Sequence, residues 1–262
     1  MFRIGLFLAT NLAVLAVVSV VMSLLGLDDS GMTALLFFCF ILGFGGSFVS
    51  LMISKWMAKR STGTVIIENP TTGTEKWLYD VTAELSKKAG IGMPEIGIFP
   101  SSQPNAFATG WNRNKSLVAV SSGLLDNFRR DEVKAVVAHE IGHVANGDMV
   151  TLALVQGITN TFVLFFSRIV ARIITSSIHN QVMAMLGRFV IVMVLQMLFG
   201  ILASIIVMWF SRRREFRADA MGARLTSTYA MIAALTRLKK PVPHSRQDRL
   251  PDEMAAFGIS SG

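Results

Sequence analysis

Long runs of uncharged, mostly apolar residues alternate with polar regions along this chain. Two such runs, 4–26 and 32–54, lie near the N-terminus on either side of a short turn, 27–31, that contains two aspartates. Each run exceeds the roughly 20 residues with which a helix crosses a hydrocarbon core. The first also exceeds the roughly 7–15 apolar residues of a signal peptide, and a second run follows at once. We therefore predict a transmembrane helical hairpin over residues 1–54.

A second pair of apolar runs, 149–166 and 189–210, lies in the C-terminal half of the chain. The later run is a clear candidate span. The earlier one contains threonine, glutamine and asparagine and continues into two arginines, so that it can span the membrane, lie at its interface or pack inside the protein. We predict a second transmembrane or membrane-associated hairpin over residues 149–210, with an external connection from Arg168 to Arg188.

The polar regions outside these hairpins predict one small folded unit. A helical pattern of apolar residues follows Thr74 and stops at Gly90, a residue type that commonly terminates helices. Three short β-like runs come next, of which the last two predict a hairpin; they are 95–99, 105–109 and 117–121. A helix over about 131–146 follows. The sequence thus predicts a mostly α membrane protein with two transmembrane hairpins and a small α+β domain formed by 55–148 and 211–262.

The composition agrees with a membrane protein and excludes several other classes. Of the 262 residues, 52% are hydrophobic and 16% are charged, whereas charged residues make up about a quarter of ordinary soluble domains. The chain has one cysteine, Cys39, which excludes a disulfide framework and a cysteine-rich zinc finger. The net charge of +8 is compatible with nucleic-acid binding, but in so apolar a chain we interpret it as basic anchors facing anionic lipid. We predict the lipid bilayer as a partner and no nucleic acid.

Basic residues near the ends of the predicted spans indicate an orientation. One cluster follows the second span and another follows the last span; they are Lys55, Lys59 and Arg60, and Arg212, Arg213 and Arg214. The turn at 27–31 has no basic residue. By the positive-inside rule, 55–148 and the segment after Ser211 are therefore cytoplasmic, although three arginines in the predicted external connection oppose this orientation.

One motif in the helix predicted over 131–146 carries chemistry. His139, Glu140 and His143 form the pattern His-Glu-Xaa-Xaa-His. Histidines four residues apart lie on one face of a helix, which lets both imidazoles reach a single Zn²⁺. Glu140 can then contact a water on the metal and accept its proton during attack on a peptide carbonyl. Two unrelated polar side chains are the alternative, but the surrounding helix is apolar, and unpartnered histidines are costly there.

A catalytic zinc usually takes three protein ligands, and we predict Glu215 as the third. Glu215 lies just after the last apolar run and shares a helical face with Asp219, which can accept the free ring N–H of a zinc-binding histidine. The remaining histidines, His179 and His244, lie in loop-like settings and are interpreted as ordinary polar residues. An isolated acidic pair beside arginines is more often simply solvated, so the assignment of Glu215 depends on the other ligands.

These motifs, in this order along the chain, resemble the HtpX family of bacterial inner-membrane zinc metallopeptidases, which are related to the prenyl-protein (CAAX) endopeptidases. The resemblance covers residue 1 to about Lys240. It rests on the two hairpins and on three motifs: Asn-Ala-Phe-Ala-Thr-Gly at 105–110, the His-Glu-Xaa-Xaa-His pattern with Asn-Gly-Asp at 146–148, and Glu-Phe-Arg-Ala-Asp at 215–219.

The resemblance implies a zincin-like catalytic domain that faces the cytoplasm. It implies one zinc ion per chain, held by His139, His143 and Glu215, with Glu140 as general base. It also implies a stress-related role in the quality control of misfolded or damaged membrane proteins, and a tendency to self-cleavage. Members of this family usually continue with a Thr-His-Pro-Pro segment and a terminal helix, so we expect that a chain ending at Gly262 is either truncated or the product of a short gene.

In zincins an edge strand beside the metal holds the substrate extended by main-chain pairing, and pockets for alternate side chains then determine specificity. We assign this role to the strand before the metal-binding helix, which consists of Asn105, Ala106, Phe107, Ala108 and Thr109. A strand that packs only for structure is the alternative, because without the resemblance only β-propensity and position distinguish this segment.

Two other functional classes stay open. A catalytically impaired, protease-like membrane adaptor would bind substrates without cutting them; the missing terminal segment favours it, and the intact His-Glu-Xaa-Xaa-His pattern opposes it. A transporter or channel is suggested by the polar residues in 149–166 and by Arg168 and Arg172. Transporters place ionisable groups near the membrane midplane, however, whereas the carboxylates of this chain cluster outside the apolar runs. The combined motifs favour the peptidase.

Overall fold

The architecture comes from a computed structural model that describes residues 31–239 and, before them, Val20 and Leu24. Val20 and Leu24 are both helical. The rest of the predicted first span, the predicted turn up to residue 30, and the segment 240–262 with His244 lie outside the described residues.

Seven helices and four strands make up the part of the chain from residue 31 to residue 239. The helices are α1 (Met32–Thr62), α2 (Gly73–Ala89), α3 (Ser122–Asn127), α4 (Arg130–Asn146), α5 (Asp148–Thr175), α6 (Gln181–Leu225) and α7 (Thr228–Leu238). The strands are β1 (Val65–Ile66), β2 (Glu95–Phe99), β3 (Ala106–Thr109) and β4 (Leu117–Ser121). The predicted class, mostly helical with a small α+β part, is confirmed.

Three helices in this part of the chain are long and apolar enough to cross a membrane. They are α1, α5 and α6, with mean hydropathies of 2.2, 1.7 and 2.8 in their most apolar segments. A span of about 20 apolar residues suffices to cross the hydrocarbon core. The predicted membrane-protein class is therefore confirmed, while most of the first span predicted from the sequence lies outside the described residues.

The predicted connection from Arg168 to Arg188 is wrong. Helix α5 continues through Arg168 to Thr175, and α6 already begins at Gln181, so that the connection is only 176–180. Arginine is a good helix former, so Arg168 does not end α5. The Arg168 side chain is buried, and one of its guanidinium N–H groups donates to the Leu164 carbonyl, one turn earlier, at 3.0 Å. The last apolar run and Glu215 also belong to one continuous helix, α6.

By its internal contacts the chain divides into two units, of which the first comprises Met1–Ser50 and Leu152–Ser211. In this unit α1 and α5 approach closely at one point, because a Cβ atom on Gly43 would lie only 2.7 Å from the backbone nitrogen of Thr161. Small residues commonly permit such close helix contacts in membranes. A buried cluster of this unit consists of Leu35, Cys39, Val163 and Leu164.

The second unit, Leu51–Thr151 and Arg212–Gly262, contains the sheet. The strand order is β1-β2-β4-β3, with β2 and β4 parallel and β3 and β4 antiparallel. Ala106 pairs with Val120, which confirms the predicted hairpin and leaves β3 at the edge of this sheet. The sheet packs on α1 through a buried apolar cluster of Ala58, Phe99, Phe107, Leu117 and Ala119.

Local turn chemistry determines the helix ends in the second unit. Helix α2 begins earlier than the predicted Thr74, because Thr72 and Glu75 form a capping box in which each side chain accepts a backbone N–H of the other residue. Gly90 and Gly147 end α2 and α4 in the left-handed region, both at φ 67°, as their positions in the sequence predict. The reversal at Gly147 starts α5 directly after the helix that carries the histidines.

Candidate metal centre

Helix α4 places two histidine rings side by side in the interior of the second unit. His139 and His143 are one helical turn apart and are only 2% and 4% exposed. Their rings meet edge to face at an angle of 86°. The two Nε2 atoms lie 3.1 Å apart and therefore face a common point. The sequence motif predicts this geometry, because i and i+4 positions share a helical face.

Helix α6 brings Glu215 to the same point. Its Oε2 lies 3.4 Å from Nε2 of His139 and 3.4 Å from Nε2 of His143. Helices α4 and α6 approach closely because two glycines lie in the contact. A Cβ atom on Gly142 would be 3.1 Å from Met221, and a Cβ atom on Gly222 would be 3.2 Å from the backbone nitrogen of His139.

The three atoms fit the dimensions of a metal site. Among the described residues His139, His143 and Glu215 form a group whose ligand atoms all lie within 4.8 Å of one another. Their separations of 3.1, 3.4 and 3.4 Å compare with about 3.3 Å between two ligands of a tetrahedral zinc ion that has bonds of about 2.0–2.1 Å. Two imidazoles and one carboxylate also form a ligand set found in catalytic zinc sites.

Each histidine is oriented by a carboxylate on its other ring nitrogen. The Nδ1 atom of His139 lies 2.8 Å from Oδ1 of Asp219, and Nδ1 of His143 lies 2.8 Å from Oδ2 of Asp148. A proton on each Nδ1 donates to its carboxylate and leaves each Nε2 as the free acceptor, which is the tautomer that a metal needs. The sequence predicts the contact of Asp219 with a histidine, whereas the contact of Asp148 was not predicted.

The missed role of Asp148 has a structural origin. Asp148 is the first residue of α5, it is fully buried, and it reaches His143 because the left-handed Gly147 turns the chain back at the end of α4. Its second oxygen lies 3.4 Å from a guanidinium nitrogen of Arg217. The available signal was the sequence Asn-Gly-Asp at 146–148, two residues after the end of the histidine motif, where a helix terminator is followed by a carboxylate.

Glu140 lies beside the two histidines in a different environment. Its side chain is fully buried, and neither carboxylate oxygen has a hydrogen-bond partner among the described residues. Burial raises the pKa of the Glu140 carboxyl, while the neighbouring histidines act in the opposite direction. A buried carboxylate without partners is costly unless water or another polar group reaches it, so this position is suited to contact with a reacting water.

The charges around the site also affect the histidines. Burial disfavours the protonated form of His139, but its hydrogen bonds with Asp219 and Glu215 outweigh burial and raise its pKa to about 9 in the metal-free protein. Arg214 is buried, and one of its guanidinium N–H groups donates to Oε1 of Glu215 at 3.3 Å. This contact leaves Oε2 of Glu215 directed at the two histidines.

The other described residues considered as site candidates lie on or just before β3 and in the connection between α5 and α6. The segment predicted to bind substrate forms β3 and the residue before it, and all five of its residues are buried: Asn105, Ala106, Phe107, Ala108 and Thr109. The backbone N–H of Asn105 donates to Oγ of Ser121 at 2.9 Å. His179 is exposed in the connection between α5 and α6. The group of possible ligands among the described residues does not include it.

Known proteins are similar to this chain along its whole length. Residues 73–252 match peptidase family M48. Protease HtpX of Pseudomonas paraeruginosa is 59% identical over 266 residues, which cover 100% of this chain and 91% of that protein. Protease HtpX of Hahella chejuensis is 56% identical over 269 residues, again with 100% of this chain and 91% of that protein covered.

A solved structure is similar in fold. The crystal structure of S. mikatae Ste24p superposes with a TM-score of 0.59 at 16% sequence identity. The similarity covers 86% of this chain and 56% of that chain. At this identity the comparison shows a shared fold and nothing further.

Proposed function

This chain belongs to peptidase family M48, and from this membership we propose a zinc endopeptidase in which His139, His143 and Glu215 hold the metal and Glu140 is the general base. Family membership and the long apolar helices together identify a membrane-bound metallopeptidase that acts on polypeptides. The choice of zinc, with one ion per chain, follows from the two imidazoles and one carboxylate, a ligand set that suits this metal.

One observation carries the proposal. The ligand atoms of His139, His143 and Glu215 converge at separations of 3.1 to 3.4 Å, and the fully buried carboxylate of Glu140 lies beside them without a hydrogen-bond partner among the described residues. A structural cluster of polar residues would satisfy its buried carboxylate with protein donors. A catalytic site instead leaves this carboxylate for a water and for the substrate.

Glu140 would move the protons of the reaction. A bound zinc ion supplies Lewis-acid chemistry, since it makes water more acidic and polarises the substrate carbonyl. Glu140 accepts one proton from the attacking water as the new carbon–oxygen bond forms. It then donates a proton to the amide nitrogen as the carbon–nitrogen bond breaks, which yields a carboxylic acid and an amine. The raised pKa of Glu140 suits a group that must take up and release a proton.

The surrounding residues would orient the ligands. Asp219 and Asp148 each accept the Nδ1–H of one histidine, which keeps its Nε2 turned inward. Arg217 pairs with Asp148, and Arg214 pairs with Glu215, so one ligand-orienting carboxylate and the glutamate ligand each have a cation nearby. Because Arg217 pairs with Asp148, which accepts the Nδ1–H of His143, Arg217 would help to orient His143.

Strand β3 would hold the substrate. It lies at the edge of the described sheet, pairs with β4 on one side and packs against α4, which carries the histidine motif. A substrate peptide that pairs with the other side of β3 would be held extended, with its alternate side chains in pockets. Asn105, Ala106, Phe107, Ala108 and Thr109 would then provide main-chain contacts rather than chemistry.

The proposed substrates are misfolded or damaged membrane proteins, cut from the cytoplasmic side of the bacterial inner membrane. The long apolar helices keep the enzyme in the bilayer where such substrates are found. Lys55, Lys59 and Arg60 after α1's apolar part support a cytoplasmic position for the second unit by the positive-inside rule. The proposed segments 1–54, 55–148, 149–210 and 211–262 then alternate between membrane and cytoplasm.

Metal content and cleavage of the detergent-purified protein test the proposal. We expect one zinc per chain and cleavage of casein or of the chain itself, which a chelator stops and added zinc restores. A protein that binds zinc but cuts neither substrate would instead act as the protease-like adaptor. A protein that cuts equally well after complete removal of metal would contradict the proposed site.

A further inference from the structure

The loop between β3 and β4, 110–116, is tied to helix α1 at both of its ends. At its start, Oγ1 of Thr109 donates to Oγ of Ser54 at 3.0 Å. At its end, the Lys115 carbonyl accepts a hydrogen bond from Nζ of Lys55 at 3.0 Å. Ser54 and Lys55 are consecutive, so both ends of the loop lie at one level along α1.

That level is where the apolar part of α1 ends. Residues 32–54 contain no charged side chain, and Lys55 is the first charged residue after them. A helix that crosses a bilayer places such a boundary near the headgroup layer, where tryptophan and basic residues are enriched. Trp56 follows at once, is 63% exposed, and has the guanidinium of Arg60 over its ring at 5.9 Å. The loop is therefore held beside the interfacial end of α1.

The side chains of the loop have the chemistry of this layer. Trp111 is 52% exposed, although tryptophan is a large apolar residue, and Arg113 and Lys115 are also exposed. The loop and the adjacent end of α1 together contribute five cations, Lys55, Lys59, Arg60, Arg113 and Lys115. The carboxylate linked to them is Glu95, which pairs with Lys55 at 2.8 Å and also with Lys59.

The loop has a defined shape, so that Trp111 is presented in a set position. Lys115 N–H donates to the Asn112 carbonyl at 3.0 Å, and Asn114 N–H donates to the Asn112 side chain at 2.8 Å. The Asn114 side chain in turn accepts the Gly92 N–H at 2.9 Å. These bonds reduce the entropy that ordering at a surface would otherwise cost.

We propose that the loop 110–116 is an interfacial membrane anchor, in which Trp111 enters the headgroup layer and Arg113 and Lys115 bind the phosphates of anionic lipids. The partner is the bilayer that α1 crosses, because a loop tied to the end of a membrane helix reaches that surface first. The anchor is independent of the proposed peptidase chemistry. It also fixes β3, which ends at Thr109, at a defined height above the membrane.

Tryptophan fluorescence of this 262-residue chain in vesicles tests the anchor. One variant keeps only Trp111, through replacement of Trp56, Trp77 and Trp209 by Phe; the matched control keeps only Trp77, which lies on α2 beside Arg130. In brominated phosphatidylcholine we expect strong quenching of Trp111 and little quenching of Trp77, because only the first reaches lipid. Equal quenching of the two residues would overturn the proposal.

The basic residues are tested by adding phosphatidylglycerol to the same vesicles. Quenching of Trp111 should increase, because each basic residue near an anionic surface strengthens binding about fivefold. The combined substitution Arg113→Gln and Lys115→Gln should abolish this increase. An increase that persists in the double variant would overturn the assignment of these two cations.

Hydrogen–deuterium exchange checks the same point on the unsubstituted chain, so that a variant that fails to fold does not decide the result. Backbone amides in 110–116 should exchange more slowly in anionic than in neutral bilayers. Those of α3 should show the same rate in both, since α3 follows β4 at the opposite end of that strand from the loop. Identical exchange of 110–116 in the two bilayers would contradict the proposed binding of anionic lipids by this loop.

Discussion

The Nδ1 atom of His139 lies 2.8 Å from Oδ1 of Asp219, a residue 80 positions later in the chain. The contact joins helix α4 to helix α6 at the point where both supply candidate metal ligands. His143 has an equivalent partner in Asp148, which follows it by five positions. The two carboxylates differ in burial, since the side chain of Asp219 is 34% exposed and that of Asp148 is fully buried.

Substitution of either aspartate by asparagine should weaken zinc binding. Outer carboxylates of this kind typically contribute a factor of about 10–100 in metal affinity. We expect Asp148→Asn to have the larger effect, because it also removes the partner of Arg217 in a fully buried position. Zinc affinity measured by competition with a chelator checks this. Asp80→Asn, which alters an exposed aspartate on α2, is the control and should bind zinc like wild type.

Glu215→Ala should reduce zinc affinity by more than either aspartate variant. It removes a direct ligand, whereas the aspartates only orient ligands. Zinc bound after dialysis against a weak chelator measures the loss, with Glu68→Ala, an exposed glutamate, as control. Full zinc retention in Glu215→Ala would show that the third ligand is another residue.

Close contact between α4 and α6 should be sensitive to added volume at Gly142. A Cβ atom there would lie 3.1 Å from the Met221 side chain and 3.2 Å from the Ala218 carbonyl oxygen. Gly142→Leu should therefore push the helices apart, at a cost of about 1–3 kcal/mol, and lower zinc occupancy together with the thermal unfolding temperature. Gly200→Leu is the control in α6, because a Cβ atom at Gly200 meets nothing within 4 Å. Equal effects of the two substitutions would contradict the packing described.

Zinc affinity should rise with pH. In the metal-free protein the pKa of His139 is raised from the ordinary 6.5 to about 9. Between pH 6.5 and 9 the imidazole therefore carries a second ring proton, on Nε2, and this proton must leave when zinc binds. Apparent affinity should therefore increase about tenfold per pH unit between about 6.5 and 9 for each proton displaced. Chelator competition at a series of pH values, corrected for the titration of the chelator, measures the slope.

The stability of the metal-free protein should fall as the pH rises, whereas its zinc affinity should rise. Because the folded-state pKa of His139 lies above its unfolded value, its stabilising contribution is fully present below about pH 6.5 and is lost as the pH rises through about 9. Thermal unfolding of the chelator-treated protein across this range measures the change. A zinc affinity and an apo stability that are both independent of pH would contradict the protonation described for His139.

Local patterns predicted the parts of the fold that depend on local chemistry. The periodicity of α4, the terminating Gly147 and the hairpin of β3 and β4 all arise from residues close in sequence. The boundaries of α5 and α6 were missed because Arg168 suggested the end of a span, whereas in the structure it is buried and bonded within its helix.

In the metal centre, the ligand residues could be predicted from the sequence, whereas the helix direction and the close helix contacts that position them could not. The spacing of His139 and His143 predicts that they converge, and the pattern after the last span predicts Glu215. The contact of Asp148 with His143 depends on the direction in which α5 leaves α4, and that direction follows from the left-handed Gly147. The position of Glu215 beside the histidines depends on the close approach of α4 and α6 at Gly142 and Gly222, and these two helices are far apart in the chain.

The central claim is that Glu140 transfers protons without holding the metal, and Glu140→Gln tests it most directly. Glutamine preserves the shape of the side chain but cannot act as a base. In the detergent-purified protein we expect the zinc content of wild type and a loss of casein cleavage and self-cleavage of about 100-fold or more. Cleavage at the wild-type rate by zinc-loaded Glu140→Gln would contradict the account.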